Sequence, residues 1–329
     1  MSDTQQGRDG PLGRPSGNEA ACPAAEATVL VRVAANPRRS LALITAVALA
    51  LYVIVRLLPT GTNLNHMDFR VEGKGALEFC DAANPSFIPV VQVRSPVVLG
   101  LKSDREPTLN QPLNFTLTLR TASGKAIAPE DLLVTHTRKL HLLVVDPTLS
   151  DYQHLHPEPG KHPGEWIFTL TAPRAGLYRV FADFTPAATA RGLYGVAEFT
   201  VPGAVARVGR ATNTSAEVGN LRFELTTAQP FRARQPIDLR FQARRRGEEP
   251  VRLQPVMGAF AHLVAFDETR SGFAHLHPNQ TDLAQLLDPL HPELAFKITI
   301  PQPGRYVIWS QVKIDGQEIF TPFWVDVLP

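Results

Sequence analysis

The chain has 329 residues, 44% of them hydrophobic and 19% charged, with 29 prolines, 22 glycines and two cysteines, a length that suits roughly two ordinary domains with extra segments. Its 33 basic and 31 acidic residues leave a formal charge of only +2, which argues against a nucleic-acid partner or a general pull on acidic substrates. The many prolines disfavour a helical protein, and Cys22 and Cys80 are too few for a disulfide scaffold.

Residues 1–39 are rich in small, polar, glycine and proline residues without hydrophobic period, and the expectation is a disordered cytoplasmic tail. Leu41 to Val55 is apolar apart from Thr45, and with Leu57 and Leu58 the stretch reaches 18 residues, about 27 Å of helix. A cleaved signal peptide is the rival, but Arg56, Leu57, Leu58 and Pro59 follow where a small-residue cleavage site would stand. Residues 40–59 are therefore expected to form an uncleaved transmembrane signal-anchor. Arg32, Arg38 and Arg39 precede it, so the positive-inside rule puts the N-terminus in the cytoplasm and the remainder in the periplasm or outside the cell. Cys22 and Cys80 then lie on opposite sides of the membrane, and no intramolecular disulfide is expected.

A connector, 60–86, holds His66, Met67 and Cys80. A thiolate and a thioether suit Cu(I); the alternative is that Cys80, beside Phe79, is a small buried hydrophobe. Beyond it the chain alternates apolar and polar residues between turn signals, the period of strands. The segment 140–157, LHLLVVDPTLSDYQHLHP, aligns without gaps on 261–278, AHLVAFDETRSGFAHLHP, at an offset of 121. Such self-similarity marks a duplication. Gly176-x-Tyr178 likewise matches Gly304-x-Tyr306, after a seven-residue insertion near TDLAQLLDPLHP whose Thr or Asp N-cap signal suggests a short helix. The fold class expected is all-β: two tandem immunoglobulin-like antiparallel β-sandwiches, 87–203 and 204–329, with the linker near Pro202 to Asn220.

The repeat carries histidines at identical spacing: His141, His154 and His156 in the first copy, His262, His275 and His277 in the second. Residues i and i+2 of a strand share a face. A hairpin that pairs Val145 with Tyr152 sets His141 opposite His156, and one that pairs Phe266 with Phe273 sets His262 opposite His277. Three imidazoles then converge in each copy, a donor set for copper or zinc. Met257 aligns with His136 at the entrance to the hairpin; the expectation is that Met257 adds a thioether to the second cluster and His136 an imidazole to the first. The competing reading makes the histidines structural, bonded to backbone carbonyls where proline ends a strand. His162 and His291, each followed by proline, are weaker candidates, and Trp166, Tyr178, Tyr306 and Trp309 are expected to fill the sandwich cores. Phosphate loops, nucleophile elbows, His-Glu-x-x-His and paired-cysteine zinc motifs are missing from the sequence, so neither an enzyme nor a small-molecule substrate is expected.

Met257-Gly258, His262, Asp267, Phe273, His275-Leu276-His277-Pro278 and Pro303-Gly304-x-Tyr306 resemble the YtkA-like family of extracytoplasmic immunoglobulin-like domains. The resemblance implies copper or other heavy-metal handling at the bacterial envelope, through His262, His275, His277 and Met257. The resulting expectation is an anchored protein that sequesters or delivers copper, with zinc as the alternative ion. The other reading is an envelope interaction or scaffold module with structural histidines, a protein partner and no metal.

Overall fold

The computed structural model describes residues 36–57, 64–70, 85–209, 211–247, 249–284 and 287–329. Cys22, Cys80, nearly all of the tail and most of the connector lie outside them. Two compact units, divided near residue 60, are described in turn.

The first contains helix α1, Pro37–Leu57. Asn36 caps it, its Oδ1 accepting from the Arg39 amide at 3.4 Å, and Pro37 follows where a missing N–H costs nothing. The stretch Pro37–Val55 has a mean hydropathy of 1.8, long and apolar enough to cross a membrane.

The second unit is the repeat pair. The first repeat has strands β1 (Val97–Ser103), β2 (Pro112–Thr121), β3 (Leu140–Val145), β4 (Tyr152–Leu155), β5 (Glu158–Pro159), β6 (Glu165–Thr171), β7 (Gly176–Phe184) and β8 (Leu193–Val201). They form two antiparallel sheets, β1-β2-β6-β5 and β4-β3-β7-β8. The second has β9 (Ser215–Val218), β10 (Leu221–Thr226), β11 (Pro236–Arg245), β12 (Leu253–Gln254), β13 (Ala261–Asp267), β14 (Phe273–Leu276), β15 (Glu293–Thr299), β16 (Gly304–Ile314) and β17 (Gln317–Val327). Its sheets are β9-β10-β11-β15 and a second built on β14-β13-β16, with β17 and β12 also paired to β16. Each pair of sheets encloses its own core: Leu113, Phe115, Trp166 and Tyr178 in the first, Phe223, Phe241, Phe296 and Tyr306 in the second. The chain is thus all-β after an apolar helix, with the sandwich built twice.

The hairpins have the expected register, Val145↔Tyr152 and Phe266↔Phe273. One aspartate holds each turn. Asp146 accepts from the amides of Thr148, Ser150 and Asp151, and Asp267 from those of Thr269, Ser271 and Gly272. These side-chain bonds stand in for backbone ones and fix where each turn closes.

Strands β3 and β13 are buried on both faces. Leu140, Leu142 and Val144 point into the first core, and Leu143 and Val145 point away from it into a third apolar cluster. That cluster joins the two repeats: Tyr152, Phe181 and Tyr194 meet Phe266, Phe273 and Trp309 at ring distances between 5.4 and 6.0 Å. Arginines lace its rim, with Arg179 donating to the carbonyl oxygens of Thr269 and Arg270 and Arg270 to that of Leu177.

Three expectations change. Trp309 packs between the repeats rather than inside a sandwich. Phe87, where the first sandwich was expected to begin, packs in the core of the second. Ile88 exchanges backbone bonds with Phe273, so close to Gly272 that a β-carbon there would sit 1.7 Å from the Ile88 carbonyl oxygen. The described part of the insertion, 281–284 and 287–292, forms turns and bends rather than a helix.

Candidate metal centre

His141, His154, His262 and His275 project from the outer faces of β3, β4, β13 and β14, the faces that meet, and His156 and His277 follow one residue past β4 and β14. Alternation dictates this: His141 has the parity of Leu143 and Val145, and His262 that of Val264 and Phe266. The side-chain nitrogens of His141, His154 and His156 gather within 4.8 Å of one another, as do those of His262, His275 and His277. His141 and His262 are 1% and 0% exposed, His154 and His275 7% and 9%.

The hydrogen bonds fix most of the tautomers, because a neutral imidazole carries one N–H. His141 donates from Nε2 to the Thr135 carbonyl and His262 from Nε2 to the Val256 carbonyl, each at 3.0 Å. His154 donates from Nδ1 to Gln311 Oε1 at 2.9 Å. That amide is oriented by its own Nε2, which donates to Glu318 at 2.8 Å. His275 donates from Nδ1 to Asp183 Oδ2 at 3.1 Å. In these four rings, two from each triad, the hydrogens thus point outward and the lone pairs inward. His141 Nδ1 and His154 Nε2 stand 3.2 Å apart, and His262 Nδ1 and His275 Nε2 3.3 Å apart, acceptor facing acceptor. His156 Nε2 completes the first group, 3.2 Å from His141 Nδ1. In the second, His277 Nε2 is buried without a hydrogen-bond partner. A tetrahedral ion with nitrogen ligands at about 2.05 Å has N···N edges of about 3.3 Å, so a cation fits where the lone pairs meet.

Burial penalises the charged form and lowers all of these histidines, that of His156 to about 4 and that of His262 to about 3. His141, His154, His275 and His277 are depressed for the same reason, as is His136. Neutral imidazole is the form that binds metal.

The supporting residues are exchanged between repeats. Asp183 belongs to the first repeat, next to His141 across the sheet, yet bonds His275 of the second; Gln311 belongs to the second, next to His262, yet bonds His154 of the first. The expected places of His136 and Met257 are exchanged as well. Each sits at positive φ, 48° and 50°, in a two-residue turn, Thr135–Arg138 or Val256–Ala259, closed by reciprocal backbone bonds. The tip of each turn reaches across. The His136 ring stacks on His277 at 3.7 Å, and Met257 lines a cavity with His154, His156 and Gln311. Met257 thus lies on the side of the first triad and the His136 ring against the second, the reverse of the sides expected from sequence. A second cavity, lined by His136, Asp183, His275 and His277, opens on the second triad.

His162 and His291 are exposed and stand apart from both triads, His291 3.5 Å from Asp288. His66 begins a 3₁₀ helix, His66–Phe69, and Met67 beside it is exposed. Sequence reasoning missed Asp183 and Gln311. The signal was a polar residue at the same column of two apolar strands, VFAD against IWSQ.

A family model described as Domain of unknown function (DUF8832) matches residues 97–203 and 216–328. No curated protein matches the sequence. Solved structures with similar regions include red sea bream transglutaminase, at 10% identity and a TM-score of 0.24, covering 72% of this chain and 32% of that one. Another is Escherichia coli alpha-2-macroglobulin activated by porcine elastase, at 13% identity and a TM-score of 0.23, covering 72% and 22%. The chain thus spans about a third or less of these proteins.

Proposed function

The chain belongs to the DUF8832 family, and we propose that it is a membrane-anchored, extracytoplasmic metal-binding protein that takes copper before zinc, for sequestration or delivery. The observation that carries the reading is the pair of lone pairs turned on each other at 3.2 and 3.3 Å in buried sites. A neutral acceptor pair is repulsive unless a cation lies between. Imidazoles suit both ions, and Met257 beside the first triad favours Cu(I). Support for the anchor comes from α1 and from Arg38 and Arg39 at its start, which orient the repeats away from the cytoplasm. The resemblance to YtkA-like domains points the same way. Neither triad needs a substrate or a general base in this role, and the protein acts without catalysis, passing its ion to an envelope partner.

The test is thermal unfolding of the full chain in detergent with Cu(I), Cu(II) or Zn(II), beside a variant with His154 and His275 changed to Asn. Binding to the native state raises Tm, by about 2.7 kcal/mol of stabilisation at a hundred times Kd. A rise in the wild type that the variant lacks supports the reading. No rise with any ion leaves the histidines as structural parts of an interaction module.

A further inference from the structure

The two triads are neighbours. His154 of the first and His275 of the second have ring centroids 5.3 Å apart, and His154 and His262, and His141 and His275, are about as close at 6.1 and 6.0 Å. His136 stands among the groups, 6.2 Å from His141 and 3.7 Å from His277. A metal–nitrogen bond of about 2.0–2.1 Å places an ion about 3.2 Å from the centroid of its ring. Passing through His154 and His275, the two ions then lie at most about 12 Å apart.

Neither triad is complete within its own repeat. Asp183 and Gln311 each orient a histidine of the other repeat, and His136 and Met257 each reach the other repeat's triad. On the side of the repeat interface the histidines adjoin its aromatic cluster on the same strand faces, and His154 and His275, which lie between the two triads, are buried. Charge placed in one triad is thus poorly screened from the other.

We propose that the two triads are a single coupled two-ion centre, built across the repeat interface, that accepts two monovalent ions such as Cu(I) but only one divalent ion. The proposal rests on the metal-binding reading above. At about 12 Å and an effective dielectric of about 20, loading one site with a monovalent ion weakens the other on the order of ten-fold, whereas two divalent ions oppose each other on the order of ten-thousand-fold. A shorter separation strengthens both effects. Asp183, the carboxylate bonded to His275, attracts both ions and leaves their mutual repulsion unchanged. Discrimination between Cu(I) and divalent ions thus comes from charge as well as from ligand softness: a zinc ion in one triad shuts the other to zinc.

The experiment counts ions. The full chain in detergent, and the variants His156→Ala and His277→Ala that each disable one triad, are equilibrated at buffered free Zn(II) or, without oxygen, buffered free Cu(I), and metal per chain is measured. Each variant is expected to bind one Zn(II); the wild type is expected to bind one Zn(II), not two, at the same free zinc, and two Cu(I). Two Zn(II) in the wild type at a level that saturates both variants, or one Cu(I) only, overturns the coupling and leaves the metal reading standing. No ion of either kind overturns the metal reading itself. Should a variant fail to fold, the wild type alone decides, since a second Zn(II) affinity within ten-fold of the first contradicts the proposal.

Discussion

Asp183 and His275 belong to different repeats, yet the Asp183 carboxylate accepts the Nδ1 hydrogen of His275 at 3.1 Å. The bond turns the His275 Nε2 lone pair onto His262, and Gln311 does the same for His154 in the other direction. A partner of this kind typically governs a 10- to 100-fold change in metal affinity. Gln311→Leu should therefore weaken the triad of the first repeat by about that factor while leaving the second repeat's triad intact, although Gln311 lies in the second repeat. Competition against a chelator, in variants that retain one triad, measures it; an effect confined to the second repeat's triad would contradict the exchanged arrangement.

Asp183→Asn keeps an acceptor for His275 but removes the charge. Metal affinity of the second triad should fall by about ten-fold, more steeply for a divalent than for a monovalent ion. Equal losses for both would show that the carboxylate acts only as a hydrogen-bond acceptor.

Phe266 contacts Tyr152 and Phe181 of the first repeat and is fully buried. Phe266→Ala should cost about 3–5 kcal/mol. Because the loss falls on the interface, urea unfolding should separate into two transitions, one per repeat, where the wild type shows one. A single transition shifted as a whole would place the cost inside the second sandwich.

Acid should destabilise the metal-free protein. Seven histidines are held below their ordinary value of 6.5 by burial, His156 to about 4 and His262 to about 3. Between the folded and unfolded values the unfolded chain binds more protons, so stability is full above about pH 6.5 and falls as the pH drops toward 4. Asp183 and Asp151, both raised by burial and Asp151 to about 6, work the opposite way but are two groups against seven. Urea midpoints with EDTA from pH 8 to 4 check the sign; a flat profile would mean the imidazoles are solvated.

Thr137 occupies positive φ of 71°, where the second repeat has Gly258 at 78°. A β-branched residue there is strained by about 1–3 kcal/mol. Thr137→Gly should stabilise the protein by about 1 kcal/mol after glycine's own entropic cost, read as a higher melting temperature. A lower one would show that the Thr137 side chain contributes contacts that outweigh the strain.

Much of this was legible in the residues. The gapless repeat at an offset of 121, the turn that pairs Val145 with Tyr152, and strand alternation together give the hairpins and the triads. What the periodicity hid was the face. A run such as LHLLVV is apolar on both sides, the pattern of a strand covered twice, but nothing local says that the second cover is the other repeat. Asp183, Gln311, and the places of His136 and Met257 all depend on that long-range packing, so sequence assigned the turn tips to their own triads.

If the inward lone pairs bind metal, ¹⁵N spectra of the histidine rings register it atom by atom. On adding Cu(I) or Zn(II), His141 Nδ1 and His154 Nε2, or His262 Nδ1 and His275 Nε2, should shift to metal-bound values while the outward nitrogens keep their hydrogens. Rings that hold their metal-free shifts at saturating metal, or that bind through the outward nitrogens, would contradict the account.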